Sequence, residues 1–158
     1  MPFSPDIVVT AEDTPRMLLI VETKLSSQDR SRDESQLKSY MLHMRCPIGL
    51  FVTPEEIVVF RDSYTAHSEQ SVRRVGAFPA PKNWTIFKTS PSTKNAGLAL
   101  RFEENVKVWL ERLRSSPSDY VQEFPKETQT VLIDYVIPAL SEGIVRAGGP
   151  REVGLESF

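Results

Sequence analysis

The sequence predicts an α/β (α+β) fold in which a mixed central sheet is flanked by helices. Short runs of β-branched and apolar residues indicate four strands, at positions 6–10, 16–24, 48–52 and 57–60. Apolar residues with helical spacing indicate helices at positions 34–45, 102–113 and 126–145. Strands dominate the first half and helices the second, so we expect one sheet with helices packed against it.

The first two strands are expected to form a hairpin. Positions 6–10 (DIVVT) are a β-branched run, and the polar stretch 11–15, which ends in proline, is predicted as the turn. The second run (RMLLIVETK) is apolar at both odd and even positions from Met17 to Val21. Such a run is typical of a central strand that is covered on both faces.

The helix at 34–45 is predicted to bury one stripe, formed by Leu37, Tyr40, Met41 and Met44. We expect Ser31 or Asp33 to cap its first turn and Pro47 to stop it. The next two strands then form a second hairpin around the turn at 53–55.

The following segment is predicted to be less regular. Positions 63–99 are rich in Pro, Ser and Thr and are expected to be loops, with one strand near 84–88. The last helix is expected to bend at Pro138, because proline removes a hydrogen bond of the helical ladder. Positions 147–158 are predicted as a flexible tail, which leaves a single domain over 1–146.

The composition excludes several classes of protein. The chain has 158 residues, of which 40% are hydrophobic and 25% charged, an ordinary balance for one globular domain. Cys46 is the single cysteine, so an internal disulfide and a multi-cysteine zinc site are both excluded. No apolar run is long enough to cross a membrane, and the N-terminus does not resemble a secretory signal. We therefore expect a cytoplasmic protein.

The net charge is −2, but it is unevenly distributed. Six basic residues and no acidic one lie from position 73 to 101: Arg73, Arg74, Lys82, Lys88, Lys94 and Arg101. Phe78, Trp84 and Phe87 are interleaved with them. Such a mixture suits a nucleic-acid surface, with charges for phosphates and rings for stacked bases. The alternative is a solvated loop whose aromatic residues pack on the core.

Charged residues mark the ends of the first two strands. Glu22 and Lys24 are two positions apart at the end of the predicted central strand, so their side chains point to the same face. Asp6 opens the neighbouring strand of the hairpin. An antiparallel hairpin places the beginning of one strand beside the end of the next, so we expect Asp6 to lie close to Glu22.

Two carboxylates in one partly buried place repel each other, and such an arrangement usually requires a cation. Oxygen ligands of this kind suit Mg²⁺ or Mn²⁺. A divalent ion would polarise a phosphoryl oxygen and activate a bound water, and Lys24 would hold that water and offset developing negative charge. Together these parts suit the hydrolysis of a phosphodiester. The alternative is a surface ion pair between Glu22 and Lys24.

The stretches SPDIVV, IVETK and QLKSY, in this order, resemble the PD-(D/E)XK nuclease superfamily. The Pro-Asp pair at 5–6 matches the first half of its signature, and Glu-Thr-Lys at 22–24 matches the second. Gln36 and Tyr40 match the Gln-x-x-x-Tyr motif of the RecB-like branch. The later stretch GLFVTPEEIVVFRD is similar to a hairpin in the N-terminal nuclease domain of type I restriction motor subunits. The resemblance extends over residues 4–62.

This resemblance implies a restriction-endonuclease-like fold and a metal-dependent nuclease that acts on DNA. The implied ligands of Mg²⁺ or Mn²⁺ are Asp6, Glu22 and the backbone carbonyl of Thr23. Lys24 would act in catalysis. Gln36 and Tyr40 would position nucleic acid or support the site; alternatively they are ordinary half-buried helix positions. The candidates for further contacts to nucleic acid are Arg73, Arg74, Lys82 and Lys88.

The chain departs from the family at its beginning. The family usually has a helix before the first Asp, whereas only five residues precede Asp6. The chain is a fragment, or the C-terminal helices or a second subunit fill that place. A homodimer or a larger restriction or repair complex therefore stays open. An inactive nuclease-fold module that binds nucleic acid or a protein partner is the alternative function.

Overall fold

The computed structural model describes residues 3–65, 68–88 and 96–148. The strands within these ranges are β1 (Ile7–Ala11), β2 (Met17–Thr23), β3 (Ile48–Val52), β4 (Glu56–Asp62), β5 (Val72–Pro79) and β6 (Gly143–Ala147). The α-helices are α1 (Arg30–Met44), α2 (Ala96–Ser115), α3 (Pro117–Val121), α4 (Lys126–Val131) and α5 (Ile137–Ser141). Short 3₁₀ segments lie at Glu69–Ser71 and Lys82–Phe87, and a π-helical segment lies at Leu132–Val136.

The strands form one mixed sheet in the order β5-β4-β3-β2-β1-β6. Strands β2 and β3 run parallel, and the other neighbouring pairs are antiparallel. A parallel pair needs a crossover connection, and α1 supplies it between β2 and β3. The mixed α+β fold class predicted from the sequence, a mixed sheet flanked by helices, is therefore confirmed.

The sheet separates two apolar layers. On one face, α1 buries Leu37 and Met41 against the central strands. On the other face, α2 and the C-terminal helices enclose a larger core. Strand β2 contributes to both layers in alternation, because Ile20 faces α1 whereas Leu19 and Val21 face the larger core. This confirms that the second apolar run is a central strand covered on both faces.

The two predicted hairpins are present. Strands β1 and β2 pair with Ile7 opposite Val21. Strands β3 and β4 also pair antiparallel, and a tight turn joins them. In that turn the Thr53 hydroxyl accepts hydrogen bonds from the backbone N–H groups of Glu55 and Glu56, at 3.2 and 3.1 Å. The turn therefore satisfies its own backbone donors and fixes the register of the second hairpin.

Helix α1 begins earlier than the sequence pattern predicted. Its cap is Asp29 rather than Ser31 or Asp33, and the Asp29 carboxylate accepts a hydrogen bond from the N–H of Arg32 at 3.0 Å. Asp33 is buried instead and accepts a hydrogen bond of 2.5 Å from the Ser27 hydroxyl. The first helical turn is wholly polar, so apolar periodicity could not locate it.

Strand β5 corrects the prediction that positions 63–99 are loops. The strand has eight residues, of which seven pair with β4 and only Val72 and Phe78 are buried. A shift in register opposite Val59 and Phe60 interrupts the alternation of inward and outward side chains. The strand therefore lacks the two-residue apolar period by which strands are identified in a sequence.

The strand predicted near 84–88 is also wrong, because this segment forms part of a 3₁₀ turn. Residues three apart lie on the same side of such a turn. Trp84 and Phe87 therefore both point inward and are 2% and 3% exposed. Residues 89–95, which include Lys94, lie outside the described residues.

The C-terminal helix is shorter than the predicted span of 126–145. It ends at Ser141, and β6 then adds an antiparallel strand to the free edge of β1. The predicted tail therefore begins too early, since Ala147 belongs to β6 and the N–H of Gly148 donates to the Asp6 carbonyl at 2.8 Å. Residues 149–158 of the predicted tail lie outside the described part of the chain.

The disturbance expected at Pro138 occurs in the turn before it. Residues Leu132–Val136 are π-helical, with α-helix on either side. Proline has no N–H to offer to the carbonyl of Asp134, so the regular ladder is interrupted there. The wider π turn accommodates this loss without ending the helix.

Helix α2 is the longest helix in the described ranges, with 20 residues. It buries the stripe predicted from the sequence, which consists of Phe102, Val106, Trp109, Leu110 and Leu113. Its opposite face is exposed and mostly polar, although Leu100 and Val108 are exposed there as well. Over the described residues, none of the helices has both the length and the apolar character of a membrane span.

We predict that Trp84→Ala lowers the free energy of unfolding by about 3–5 kcal/mol, because it opens a large cavity in the core. The Trp84 ring packs edge-to-face on Phe102 and Trp109, with centroids 5.5 and 5.8 Å away. Ile86 lies in the same 3₁₀ segment and is 77% exposed, so Ile86→Ala should change stability by less than about 0.5 kcal/mol. Denaturant unfolding checks both values, and equal losses would contradict the core assignment.

Candidate metal centre

The pairing of β1 with β2 brings Asp6 and Glu22 to adjacent positions. Ile7 pairs with Val21, so Asp6 and Glu22 are the next residues to face each other. The backbone N–H of Asp6 donates to the carbonyl of Val21 at 2.9 Å, which extends the ladder to this point. By the alternation of the strands, both side chains lie on the face covered by α1.

The Asp6 carboxylate is held by the neighbouring strand. Its Oδ2 atom accepts one hydrogen bond from the Thr23 backbone N–H at 2.8 Å and another from the Thr23 hydroxyl at 2.9 Å. Thr23 therefore orients Asp6 through two donors. The predicted role of the Thr23 backbone carbonyl as a metal ligand stays a prediction.

Glu22 is a buried carboxyl group, with a side chain only 10% exposed. Its pKa is raised to about 9, first by burial and then by the negative charge of Asp6 and a hydrogen bond with it. The Glu22 Oε1 atom is buried and has no hydrogen-bond partner. The raised pKa favours the protonated form of Glu22 at neutral pH, and Oε1 is a buried oxygen without a partner.

Lys24 extends from the end of the same strand. Its ammonium Nζ lies 3.6 Å from Glu22 Oε2, and its side chain is 39% exposed. The charge of Lys24 and its hydrogen bond lower the pKa of Glu22, but burial and Asp6 outweigh them. The structure thus brings Asp6, Glu22 and Lys24 together, and Glu22 differs from a solvated surface ion pair in being buried.

The donor set fits a hard divalent cation. Two carboxylates and a strand-end carbonyl offer only oxygen atoms, and the unsatisfied Glu22 Oε1 would gain a partner from a bound ion. Across the described residues, no three His, Cys, Asp or Glu side chains form a metal-binding group. Water and substrate oxygens would have to complete the coordination shell, as is usual for Mg²⁺.

Gln36 and Tyr40 line a groove whose walls do not include Asp6, Glu22 or Lys24. The groove has a volume of about 920 Å³ and runs along the outer side of α1. Tyr40 packs edge-on against Phe3, with ring centroids 5.3 Å apart, and Gln36 is exposed. The predicted role of Gln36 and Tyr40 stays a prediction.

Arg30 is a charged residue near the site that the sequence analysis missed. Its guanidinium lies 4.8 Å from the centre of the Phe51 ring, and Phe51 pairs with Glu22 across β2 and β3. It also forms ion pairs with Glu34 at 2.9 Å and Glu56 at 2.8 Å. The spacing of Arg30 and Glu34, four apart at a helix start, was the available signal.

The basic residues predicted to contact nucleic acid are exposed, whereas the interleaved aromatic residues are not. Arg73 and Arg74 lie on β5, and Lys82 and Lys88 lie at the ends of the following 3₁₀ turn. Arg74 faces Glu56 at 3.9 Å, and Lys88 faces Glu55 at 3.8 Å. The aromatic residues that belong to the core are Phe78, Trp84 and Phe87. The alternative interpretation of the aromatic residues is therefore confirmed.

Comparisons of the chain with protein-family models, with curated proteins and with solved structures found no match.

We predict that the metal-free protein becomes less stable as the pH rises from about 4.5 to about 9. Glu22 has a folded pKa of about 9 against an ordinary value of 4.5, so in this window the folded state keeps a proton that the unfolded state loses. Glu22 alone would give a slope of up to about −1.4 kcal/mol per pH unit in the free energy of unfolding. Denaturant unfolding at several pH values measures it.

The matched variants for this prediction are Glu22→Gln and Glu55→Gln. The first keeps the shape of the buried side chain and removes its titration, so the slope between pH 4.5 and 9 should decrease. The second changes a carboxylate that is 73% exposed, so the slope should be retained. An unchanged slope in Glu22→Gln would contradict a raised pKa at this position.

Proposed function

We propose that this protein is a metal-dependent nuclease of the PD-(D/E)XK type, which hydrolyses phosphodiester bonds in DNA with Mg²⁺ or Mn²⁺. The single observation that carries the proposal is the state of Glu22. It is a buried carboxyl beside a second carboxyl, it has an unsatisfied oxygen, and an ammonium lies 3.6 Å away. Most buried polar atoms in proteins have hydrogen-bond partners, so an unpaired oxygen on a carboxyl group next to a second carboxyl supports a site for a cation.

A bound divalent ion would polarise the phosphoryl oxygen and lower the pKa of a water. Asp6 and Glu22 would hold it, with the Thr23 carbonyl as a third oxygen donor. The two hydrogen bonds from Thr23 keep the Asp6 carboxylate in one orientation, so little rearrangement accompanies binding.

Lys24 supplies the positive charge for the reaction. In hydrolysis a water oxygen attacks phosphorus, the bond to the leaving oxygen breaks, and negative charge grows on the phosphoryl oxygens. The Lys24 ammonium projects on the same side as the carboxyl pair and is partly exposed, so it can reach both the water and the phosphate. It would orient the water and offset the charge that develops.

We predict that Mn²⁺ binding at pH 7 releases about one proton, because the ion requires ionised Glu22 and the free protein keeps it protonated. The apparent affinity should rise by up to about tenfold per pH unit below the pKa of Glu22. Calorimetry in two buffers with different ionisation enthalpies measures the number of protons released.

Asp6→Asn and Glu22→Gln should each abolish saturable binding, whereas Glu55→Gln should preserve it. Saturable binding without proton release would contradict the protonated state of Glu22. Absence of Mn²⁺ binding by the intact chain, both alone and with single-stranded or duplex DNA present, would overturn the proposed function. The inactive nuclease-fold module would then be the function to test.

We predict that Lys24→Met lowers the rate of DNA cleavage by about 10²-fold or more while leaving Mn²⁺ binding within a few-fold of the unaltered protein. The substitution keeps the aliphatic stem and removes only the charge. Lys126 is an exposed lysine at the start of α4, outside the proposed site, so Lys126→Met is the matched control and should retain the catalytic rate.

Labelled single-stranded DNA, duplex DNA and RNA, each with Mg²⁺ and with Mn²⁺, provide the assay for this prediction. Cleavage of none of them by a protein that binds Mn²⁺ would limit the proposal to a metal-binding module. Equal rates of cleavage by Lys24→Met and the unaltered protein would show that Lys24 does not act in catalysis.

A further inference from the structure

The residue after β6 lies directly against the segment that carries Asp6. The N–H of Gly148 donates to the Asp6 carbonyl at 2.8 Å. A Cβ at Gly148 would overlap the carbonyl oxygen of Pro5, and it would also lie 3.2 Å from the Asp6 carbonyl carbon. Both neighbours are backbone atoms, which cannot turn aside as a flexible side chain would. Only glycine therefore allows this approach.

The hydrogen bond from Gly148 adds to those that Asp6 makes with β2. On one side its N–H donates to Val21, and its carboxylate accepts two hydrogen bonds from Thr23. On the other side its carbonyl accepts from Gly148. Strand β2 and the end of β6 thus hold the same residue from opposite sides, and the remaining freedom of its backbone is small.

We propose that Gly148 is a positioning residue, which fixes the backbone at Asp6 and so holds the Asp6 carboxylate against Thr23 and beside Glu22. The glycine acts in two ways. Its N–H fixes the Asp6 carbonyl, and its missing side chain lets the two backbone segments meet. The consequence for metal binding rests on the proposed function, whereas the consequence for the Asp6–Thr23 hydrogen bonds does not.

The glycine at the beginning of β6 provides the matched control. Gly143 pairs with Ala11 at the far end of β6, and a Cβ there would crowd Val9 and the Thr10 carbonyl oxygen. Gly143→Ala therefore strains the pairing of β6 with β1 as Gly148→Ala does, but it does so at the end of β1 away from Asp6. A loss of stability alone would appear in both variants.

The first readout is amide hydrogen exchange of Thr23, whose N–H donates to Asp6 Oδ2. Gly148→Ala should accelerate this exchange by at least about fivefold relative to the amides in the middle of β2. The amide resonance of Thr23 should shift as well, because its acceptor moves. Gly143→Ala should leave both properties of Thr23 as they are in the unaltered protein.

The second readout is the dissociation constant for Mn²⁺, which Gly148→Ala should raise by about 10–100-fold, as expected when a partner of a metal ligand is lost. A glycolic acid residue at position 148, which replaces the N–H by an ester oxygen, keeps the volume unchanged. It tests the hydrogen bond if Gly148→Ala does not fold. We expect it to weaken Mn²⁺ binding and to accelerate Thr23 exchange, as Gly148→Ala does.

The two readouts separate the two proposals. If Thr23 exchange is unchanged in the glycolic acid variant, or changes equally in Gly143→Ala, the positioning role of Gly148 is wrong. If the unaltered protein binds no Mn²⁺ but Thr23 exchange responds to Gly148 alone, the positioning role stands and the proposed nuclease function falls.

Discussion

The register of the β1–β2 hairpin is the constraint on which the candidate metal centre depends. With Ile7 opposite Val21, Asp6 and Glu22 face each other on the side that α1 covers. A slip of one residue would turn one of the two carboxyl groups to the opposite face of the sheet, because side chains alternate along a strand. The apolar side chains on both faces of β2 oppose such a slip. The packing of the core therefore also determines that Asp6 and Glu22 lie side by side.

The site combines a carboxylate that two hydrogen bonds hold in place with a neighbouring carboxyl group that has an unpaired oxygen. Thr23 satisfies one oxygen of Asp6 completely, whereas Glu22 retains a proton and a buried oxygen without a partner. Leaving such an oxygen unpaired costs about 1–3 kcal/mol, which the fold tolerates at few places. Under the proposed function, a bound cation would remove this cost by pairing the Glu22 oxygen.

The sequence was informative wherever a local pattern determined the structure. The continuous apolar run of β2 and the spacing of Glu22 and Lys24 placed the strand and its charged end correctly. Strand β6 was missed because its pairing with β1 is a long-range contact, which no local period records. The charged start of α1, with Arg30, was missed for a different reason: polar helical turns have no apolar stripe to reveal them. Burial of Trp84 likewise depends on partners in α2 that are distant in the chain.

The pairing of β6 with β1 also affects folding, because it joins segments that are far apart in the sequence. Residues joined across these strands, such as Arg146 and Thr10, are 136 positions apart in the chain. Closing so long a loop is entropically costly, so topologies with such contacts fold slowly. During synthesis the β1–β2 hairpin emerges first, but its outer edge stays open until residue 148 has left the ribosome. The hydrogen bond from Gly148 to the Asp6 carbonyl therefore forms only after the whole of β6 has been synthesised.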